Sequence, residues 1–394
     1  MSLATAGEAE LHAAVQRLAA IDRPSASAGE REAAEWIAQR LRALGAHVRI
    51  EEERVHGGYF APMGVPAGVA ALAGVAVLRG RRSAGALAAA AAVAISQDLQ
   101  GGPTRWLRDR LPQRPTWNVV GELGSSRAPH TLVLLAHHDA ARTSFIFDQT
   151  VPRLIAERLP WVHDVLDRWP PLMGGVVAGP ALVALGAALD SRRLTAMGTA
   201  GAAAAAGVMA HMARQPVVPG ANDNLTGVAV LLEVTRRLAG HAPDGLRLVL
   251  LSTGSEEANQ DGMLAFARRH FGDLDPQSTT FLCLDTVGSP ELVLIEGEGF
   301  LRMRDYDAET KELVAEAAAA ADVHVRRGLR FTFATDALVP LRRGYRVAGL
   351  GSVNAWLVPS NYHWPTDTPE NVDYDSVAGA VEVVLGVAER LASG

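Results

Sequence analysis

The sequence predicts an α/β fold, a mostly parallel mixed sheet with helices on both faces, interrupted by two Ala-rich helical hairpins. Three observations carry this expectation. Short runs rich in Leu, Val and Phe alternate with amphipathic helical stretches, the pattern of strands joined by crossover helices. Of the 394 residues, 48% are hydrophobic, enough to bury one large core with decorations. Two further stretches are apolar nearly throughout and read as paired helices.

Taken in chain order, residues Ser27 to Leu44 form an amphipathic helix. Ser27 and Glu30 have capping-box spacing and Gly45 provides the stop. A half-buried strand follows at His47 to Val55, where Val48 and Ile50 alternate with Arg49 and Glu51. Further strands are expected at Trp117 to Leu123, Thr131 to Ala136, Leu246 to Ser252, Phe281 to Leu284, Leu292 to Ile295 and around Val353 to Val358. Helices are expected at Thr226 to Ala239, Ala308 to Ala321 and Tyr374 to Leu391.

Two segments interrupt this alternation. Ala61 to Gln97 holds two small-residue apolar runs around Arg79, Arg81 and Arg82. Pro171 to Ala213 repeats the design, with Arg192 and Arg193 between Leu172 to Leu189 and Leu194 to Ala213. The chain thus divides into one α/β domain (residues 1–60, 98–145 and 214–394) and hairpins at 61–97 and 146–213. Weak insertion by Ala and Gly, and Pro180 in mid-run, favour helices buried against each other or a second subunit. The basic tips, and the Arg- and Trp-bearing flanks Trp106 to Leu111 and Leu154 to Trp169, favour membrane association. In a membrane the basic tips would face the cytoplasm and the rest of the chain would lie outside it. Both readings stay open.

A net charge of −6 argues against a nucleic-acid partner, which requires a basic face. Cys283 is the single cysteine, so neither an intrachain disulfide nor a thiolate metal site can form. The first twenty residues mix Glu8, Glu10 and Arg17 into an amphipathic pattern, unlike a cleavable signal.

Five elements carry chemistry, and each alone has an ordinary explanation. His137, His138 and Asp139 follow a strand, the place where parallel sheets build sites. There a His can bind a metal while an Asp two residues on fixes its tautomer. Asp223 stands in Gly220-Ala221-Asn222-Asp223-Asn224 before a helix; by itself it is an N-cap. Glu256 and Glu257 follow the apolar strand Leu246 to Leu251. Adjacent carboxylates at a buried strand end need a compensating cation. Asp285 closes the strand Phe281 to Leu284, and Tyr362-His363 precedes Asp367-Thr368. In this order they supply two cations, roughly 3.5–4 Å apart, with a His and a carboxylate each and a bridging Asp. Imidazole and carboxylate donors without thiolate suit Zn²⁺, with Co²⁺ or Mn²⁺ as substitutes.

These elements resemble peptidase family M28, the aminopeptidase Y and bacterial leucyl aminopeptidase group. The resemblance covers about Ser25 to Val55 and Asn118 to Leu391, without the second hairpin. It implies a zinc-exopeptidase-like fold and two Zn²⁺ per chain, one on His137 and Asp285, the other on Glu257 and His363, with Asp223 bridging. It implies that Glu256 is the general base and then the proton donor, while Asp139 orients His137. The implied reaction is hydrolysis of N-terminal residues from a peptide substrate through a metal-activated water. A glutaminyl-cyclase-like acyl transfer with one zinc, or a non-catalytic membrane scaffold, are the alternatives. The pattern departs from the family at Ala337, where many members have a His that borders the substrate pocket, and at Asn259 and Asp261, which replace a Gly-rich stretch.

Overall fold

The computed structural model describes residues 3–100, 102, 104–162, 167–169, 171, 173–241 and 243–393. Its centre is a seven-stranded mixed sheet. The strands are β1 (His47–Val55), β2 (Arg114–Gly124), β3 (His130–His137), β4 (Leu246–Thr253), β5 (Thr279–Leu284), β6 (Glu291–Ile295) and, after three short pieces, β10 (Arg346–Val353). Those pieces, β7 (Gly297–Glu298), β8 (Arg304–Asp305) and β9 (Arg330–Phe331), form a small sheet of their own. The order across the main sheet is β1-β2-β4-β3-β5-β10-β6. The four middle strands β4, β3, β5 and β10 run parallel; β2 and β6 flank them antiparallel, and β1 pairs antiparallel with β2 at the edge. All four parallel strands therefore end on one edge of the sheet, where a site belongs.

Alternation along these strands divides the core between the two faces. Leu132, Leu134, Leu248, Leu250, Leu282 and Leu284 pack on one face against α1 (Leu3–Ala19), α2 (Ala28–Ala43) and, further along the chain, α8 (Thr226–Leu238) and α12 (Tyr374–Ser393). Val133, Leu135, Val249, Leu251, Phe281 and Cys283 meet α9 (Asp261–His270) and α11 (Leu338–Arg342) on the other. Being covered on both sides explains why these strands read as continuous apolar runs.

The helix expected from Ser27 begins at Ala28. Ser27 caps it by accepting the Glu30 N–H at 3.1 Å, and Gly45 takes φ +92° past its end. The capping box is only half formed. Glu30 is fully buried and its carboxylate accepts the Ala26 N–H, the Thr116 hydroxyl and Trp117 N–H of β2, and the Ser255 N–H of a distant loop. The strand expected around Val353 to Val358 ends instead at Val353. Asn354 to Val358 is a turn, closed by the Asn354 N–H to the Val358 carbonyl at 2.9 Å. The true strand, Arg346–Val353, contains Gly349 and Gly351, which thin its apolar pattern.

The two apolar segments form α3 (Phe60–Leu78) with α4 (Gly85–Leu99), and α6 (Gly174–Ala188) with α7 (Arg192–Met212), separated by α5 (Thr150–Arg158). The four long helices pack into one bundle around Ala70, Ala73, Ala88, Ala91, Val183 and Ala202. Both Arg-bearing turns lie at one end of it. Arg192 reaches the Leu78 carbonyl at 3.1 Å, and Arg82 lies 3.3 Å from Asp190. A Cβ on Gly198 would sit 2.5 Å from the Val183 nitrogen, so the backbones of α6 and α7 touch through small residues. The expected surface flank Trp106 to Leu111 is no amphipathic helix, because Arg108 within it is fully buried against Asp98. Of the flank Leu154 to Trp169, residues 163–166 lie outside the described residues.

Candidate metal centre

The carboxyl ends of the four parallel strands bring five side chains together. β3 delivers His137 as its last residue; β5 is followed at once by Asp285; β4 leads through a short turn to Glu256 and Glu257; the chain after β10 carries His363. Asp223 comes from the entrance to α8. The Asp223–Asn224 peptide is cis, and Gly227 lets the helix settle on the sheet. A Cβ on Gly227 would lie 2.9 Å from both the Ala136 Cβ and the Leu284 carbonyl oxygen.

Asp223 is the geometric centre of the group. Its Oδ1 is 3.2 Å from His137 Nε2, and its Oδ2 is 3.1 Å from His363 Nε2. Glu257 Oε1 is 3.3 Å from the same His363 nitrogen, and Glu256 Oε2 is 4.0 Å from His137 Nε2. Potential donor atoms fall into two sets that share Asp223. One is His137, Asp223 and Asp285; the other is Asp223, Glu257 and His363, with the atoms of each set within 4.8 Å of one another. A further grouping joins His137 with Glu256 and Glu257.

The chemistry of this set fits cations. Asp223, Glu256 and Asp285 are buried, and Glu257 is nearly so. Burial pushes the Asp285 carboxyl up to about 8 and raises Glu256 well above the usual carboxylate range, with neighbouring carboxylates adding to both. Burial would also raise Asp223, but the imidazoles of His137 and His363 beside its two oxygens outweigh it and hold that group low. Asp223 Oδ2, Glu257 Oε1 and His363 Nδ1 are buried with no well-formed hydrogen bond. Buried carboxylates crowded together in this way need positive charge, and the imidazole and oxygen donors suit zinc.

A surrounding layer holds the donors in place. Asp139 does more than face His137 Nδ1 at 3.4 Å. Its two oxygens accept the Glu256 and Glu257 N–H groups at 3.0 and 3.1 Å, and Ser25 donates to it at 2.6 Å. One carboxylate thus ties the His to the Glu pair. Asp367 plays the same part for the bridge, accepting the Asn222 and Asp223 N–H groups at 2.7 and 3.1 Å. Arg23, fully buried, donates to the carbonyls of His138, Pro219 and Gly220. Glu30 accepts both the N–H and the hydroxyl of Ser255, beside Glu256. Arg23 carries no motif, and Glu30 carries only that of a helix cap. The site partners of the two, His138, Pro219, Gly220 and Ser255, lie more than a hundred residues away, so only the fold reveals these contacts.

A cavity of about 120 Å³ opens beside the donors. Glu256, Glu257 and His363 form its polar side, and Tyr59, Ile146, Phe147, Met173, Phe300 and Phe333 its apolar walls. Phe147 meets the His363 ring edge-on at 4.5 Å, and Tyr362 stacks on that ring at 3.9 Å. Ala337, which departs from the family pattern, is not on this wall: it is fully buried in the core beneath. Asn259 and Asp261 have a purpose of their own. With Asp98, Arg105 and Arg108 they form a buried ionic cluster in which Arg108 bonds Asp98 at 2.6 and 2.8 Å and Asp261 at 3.1 Å. Asn259 donates to Asp98 at 3.0 Å. The cluster fastens α4 to the loop that follows the Glu pair. A larger cleft of about 520 Å³ between α1 and α2 lies elsewhere. Its charges are mutually paired, as in Arg40–Glu10 and Arg236–Glu233.

The sequence profile of peptidase family M28 matches residues 193–388, which hold Asp223, Glu256, Glu257, Asp285 and His363. The chain belongs to peptidase family M28. As a member of that family it is a zinc-dependent hydrolase. No curated protein matches the sequence. Solved structures share the fold of this M28 chain. A leucine aminopeptidase precursor from Bacteroides thetaiotaomicron is 14% identical, with 97% of this chain and 96% of that chain covered and a TM-score of 0.56. A Zn-dependent exopeptidase from Parabacteroides distasonis is 13% identical, with 97% of each chain covered and a TM-score of 0.54. A glutaminyl cyclase from Tannerella forsythia is 14% identical, with 97% of this chain and 98% of that chain covered and a TM-score of 0.58. At these identities the likeness is one of fold.

Proposed function

We propose that this M28 chain is a two-zinc aminopeptidase that removes an apolar residue from the free amino end of peptides. The observation that carries the reading is Asp223, whose two oxygens face two different histidines, each with a carboxylate of its own. His137 and Asp285 would hold one ion with Asp223, and Glu257 and His363 the other. Bound there, zinc supplies Lewis-acid polarisation of water and of the scissile carbonyl. Glu256 is no member of either set that Asp223 shares, and it lines the cavity. Its carboxylate, kept basic by burial, takes the proton of the attacking water and delivers it to the leaving amine. Asp139 keeps His137 and the Glu256 backbone in register while this happens. The apolar walls of Ile146, Phe147, Met173 and Phe333 receive the side chain of the substrate's first residue.

The cyclase reading is retained because a glutaminyl cyclase shares the fold. The two are separated by metal content and products. Zinc per chain is measured on the purified protein, and a panel of aminoacyl amides is assayed before and after chelation. Two zincs, with chelator-sensitive release of Leu or Met ahead of Asp or Lys, support the proposal. One zinc with ring closure of N-terminal Gln, and no hydrolysis, replaces it with the cyclase; absent metal and turnover leave a scaffold.

A further inference from the structure

The outside of the four-helix bundle is unlike the rest of the surface. Between their ends, Phe60–Leu78, residues 85–97, Gly174–Ala188 and residues 194–210 contain no Asp, Glu, Lys or Arg. The positions turned outward are apolar: Leu72 is 73% exposed, Val65 and Leu189 63%, Met197 62% and Leu87 57%. Most other outward positions are Ala or Gly, with Gln97 near the catalytic end. A monomer in water seldom presents so large a continuous apolar surface. The hydroxyls on these helices are closed off internally. Ser96, Thr195 and Thr199 each bond the carbonyl four residues earlier, at 2.7, 3.0 and 2.6 Å. That removes the cost of placing a hydroxyl in hydrocarbon. Inside the bundle, close Gly and Ala contacts hold α6 against α7, the packing helices use where lipid rather than water surrounds them.

The two ends differ in charge and in aromatic content. Arg79, Arg81, Arg82, Arg192 and Arg193 sit at the distal turns. At the end next to the zinc donors, Trp106 and Phe145 are 43% and 60% exposed. Phe145 lies against His211 at the foot of α7. At 1.5 Å per residue the longer helices α3 and α7 span about 28 and 32 Å, close to the roughly 30 Å hydrocarbon core. Among the described residues, α3 is by itself long and apolar enough to cross a membrane, and 39% of its most apolar stretch is buried.

We infer that the bundle of α3, α4, α6 and α7 spans a lipid bilayer. The arginine turns face anionic headgroups on the cytoplasmic side, and the metal centre lies just beyond the opposite surface. Apolar girth matches the acyl chains, the arginines complement anionic lipid, and the exposed aromatics occupy the interface. Tyr59 and Met173 begin α3 and α6 and also wall the cavity, so the substrate pocket opens close to the membrane plane.

The test uses the full chain in a bacterial host. The protein is expected in the membrane pellet after an alkaline carbonate wash, and in solution only with detergent. Cys283 is buried, so single cysteines introduced by Arg81→Cys and Glu389→Cys report topology. In intact spheroplasts a membrane-impermeant maleimide should label the Glu389→Cys protein and leave the Arg81→Cys protein unlabelled until the membrane is opened. Retained aminopeptidase or metal content marks each variant as folded. Release by carbonate, or a detergent-free soluble dimer by light scattering, overturns the inference; the dimer would assign the apolar face to a second copy. Labelling at Arg81→Cys before the membrane is opened overturns it as well.

Discussion

Glu256 and Glu257 are neighbours in sequence, and the geometry places them differently, in keeping with the different roles proposed for them. Glu257 lies 3.3 Å from His363 Nε2 and shares a donor set with Asp223, whereas Glu256 faces the cavity without belonging to that set. Glu256→Gln keeps the shape and removes the proposed base. We expect it to retain its zinc and to lose turnover by about 10²–10⁴-fold, the usual contribution of a positioned general base. Metal analysis beside kcat decides the point, and an active Glu256→Gln enzyme would remove the role from this residue. Asp139 was readable as the partner of His137 because it stands two residues on. Its hold on both Glu N–H groups was not, since those lie 117 and 118 residues away.

At the scale of elements, the loop after the Glu pair is tied to α4 through Asp98, Arg108 and Asp261, all nearly inaccessible to solvent. Removing one member of a buried ionic cluster leaves its partners uncompensated, at a cost of about 3–5 kcal/mol. Arg108→Met is therefore expected to lower the thermal midpoint and to weaken catalysis together, because Asn259 and Asp261 close the loop behind Glu256. Calorimetry paired with kcat checks both; an unchanged midpoint would show that the cluster is dispensable. The strands offer a milder case. Arg49 on β1 and Arg247 on β4 both bond Glu122 on β2, at 2.7 and 2.8 Å. Burial alone would raise this carboxyl, yet the two arginines outweigh it and the group titrates below its ordinary range. A carboxylate with a depressed folded pKa stabilises above its unfolded value, about 4.3, and that stability is lost as pH falls through the folded value. The midpoint difference between the native protein and Glu122→Gln should be widest near neutrality and close below about pH 4. A gap that widens in acid would contradict the pairing.

For the molecule as a whole, the metal centre joins the ends of four strands, the entrance of α8 and the loop after β10. Cations bound there would link segments from His137 to His363, so their removal should loosen more than the site. Chelation is expected to lower the thermal midpoint, and added zinc to restore it in a concentration-dependent way, as ligand linkage requires. A midpoint indifferent to chelator would mean that these donors bind no metal in the folded state.

The α/β class, most of the strands, the Ser27 cap and the five polar elements that the fold brings together at the sheet edge were legible in the sequence. Strands buried on both faces must be continuously apolar, helices must be capped, and an isolated carboxylate after such a strand needs a reason to be there. The strand Arg346–Val353 was obscured by its glycines, and the turn after it was mistaken for its continuation. Tertiary structure alone decided which residues hold the donors in place. Arg23, Glu30 and the Asp98 cluster act across long sequence separations, which local periodicity does not encode. It also decided that the two hairpins pack as one bundle with their arginines at one end. A helix's own sequence gives the width of its apolar stripe, but only its neighbours determine which part of that stripe they cover and which they leave exposed.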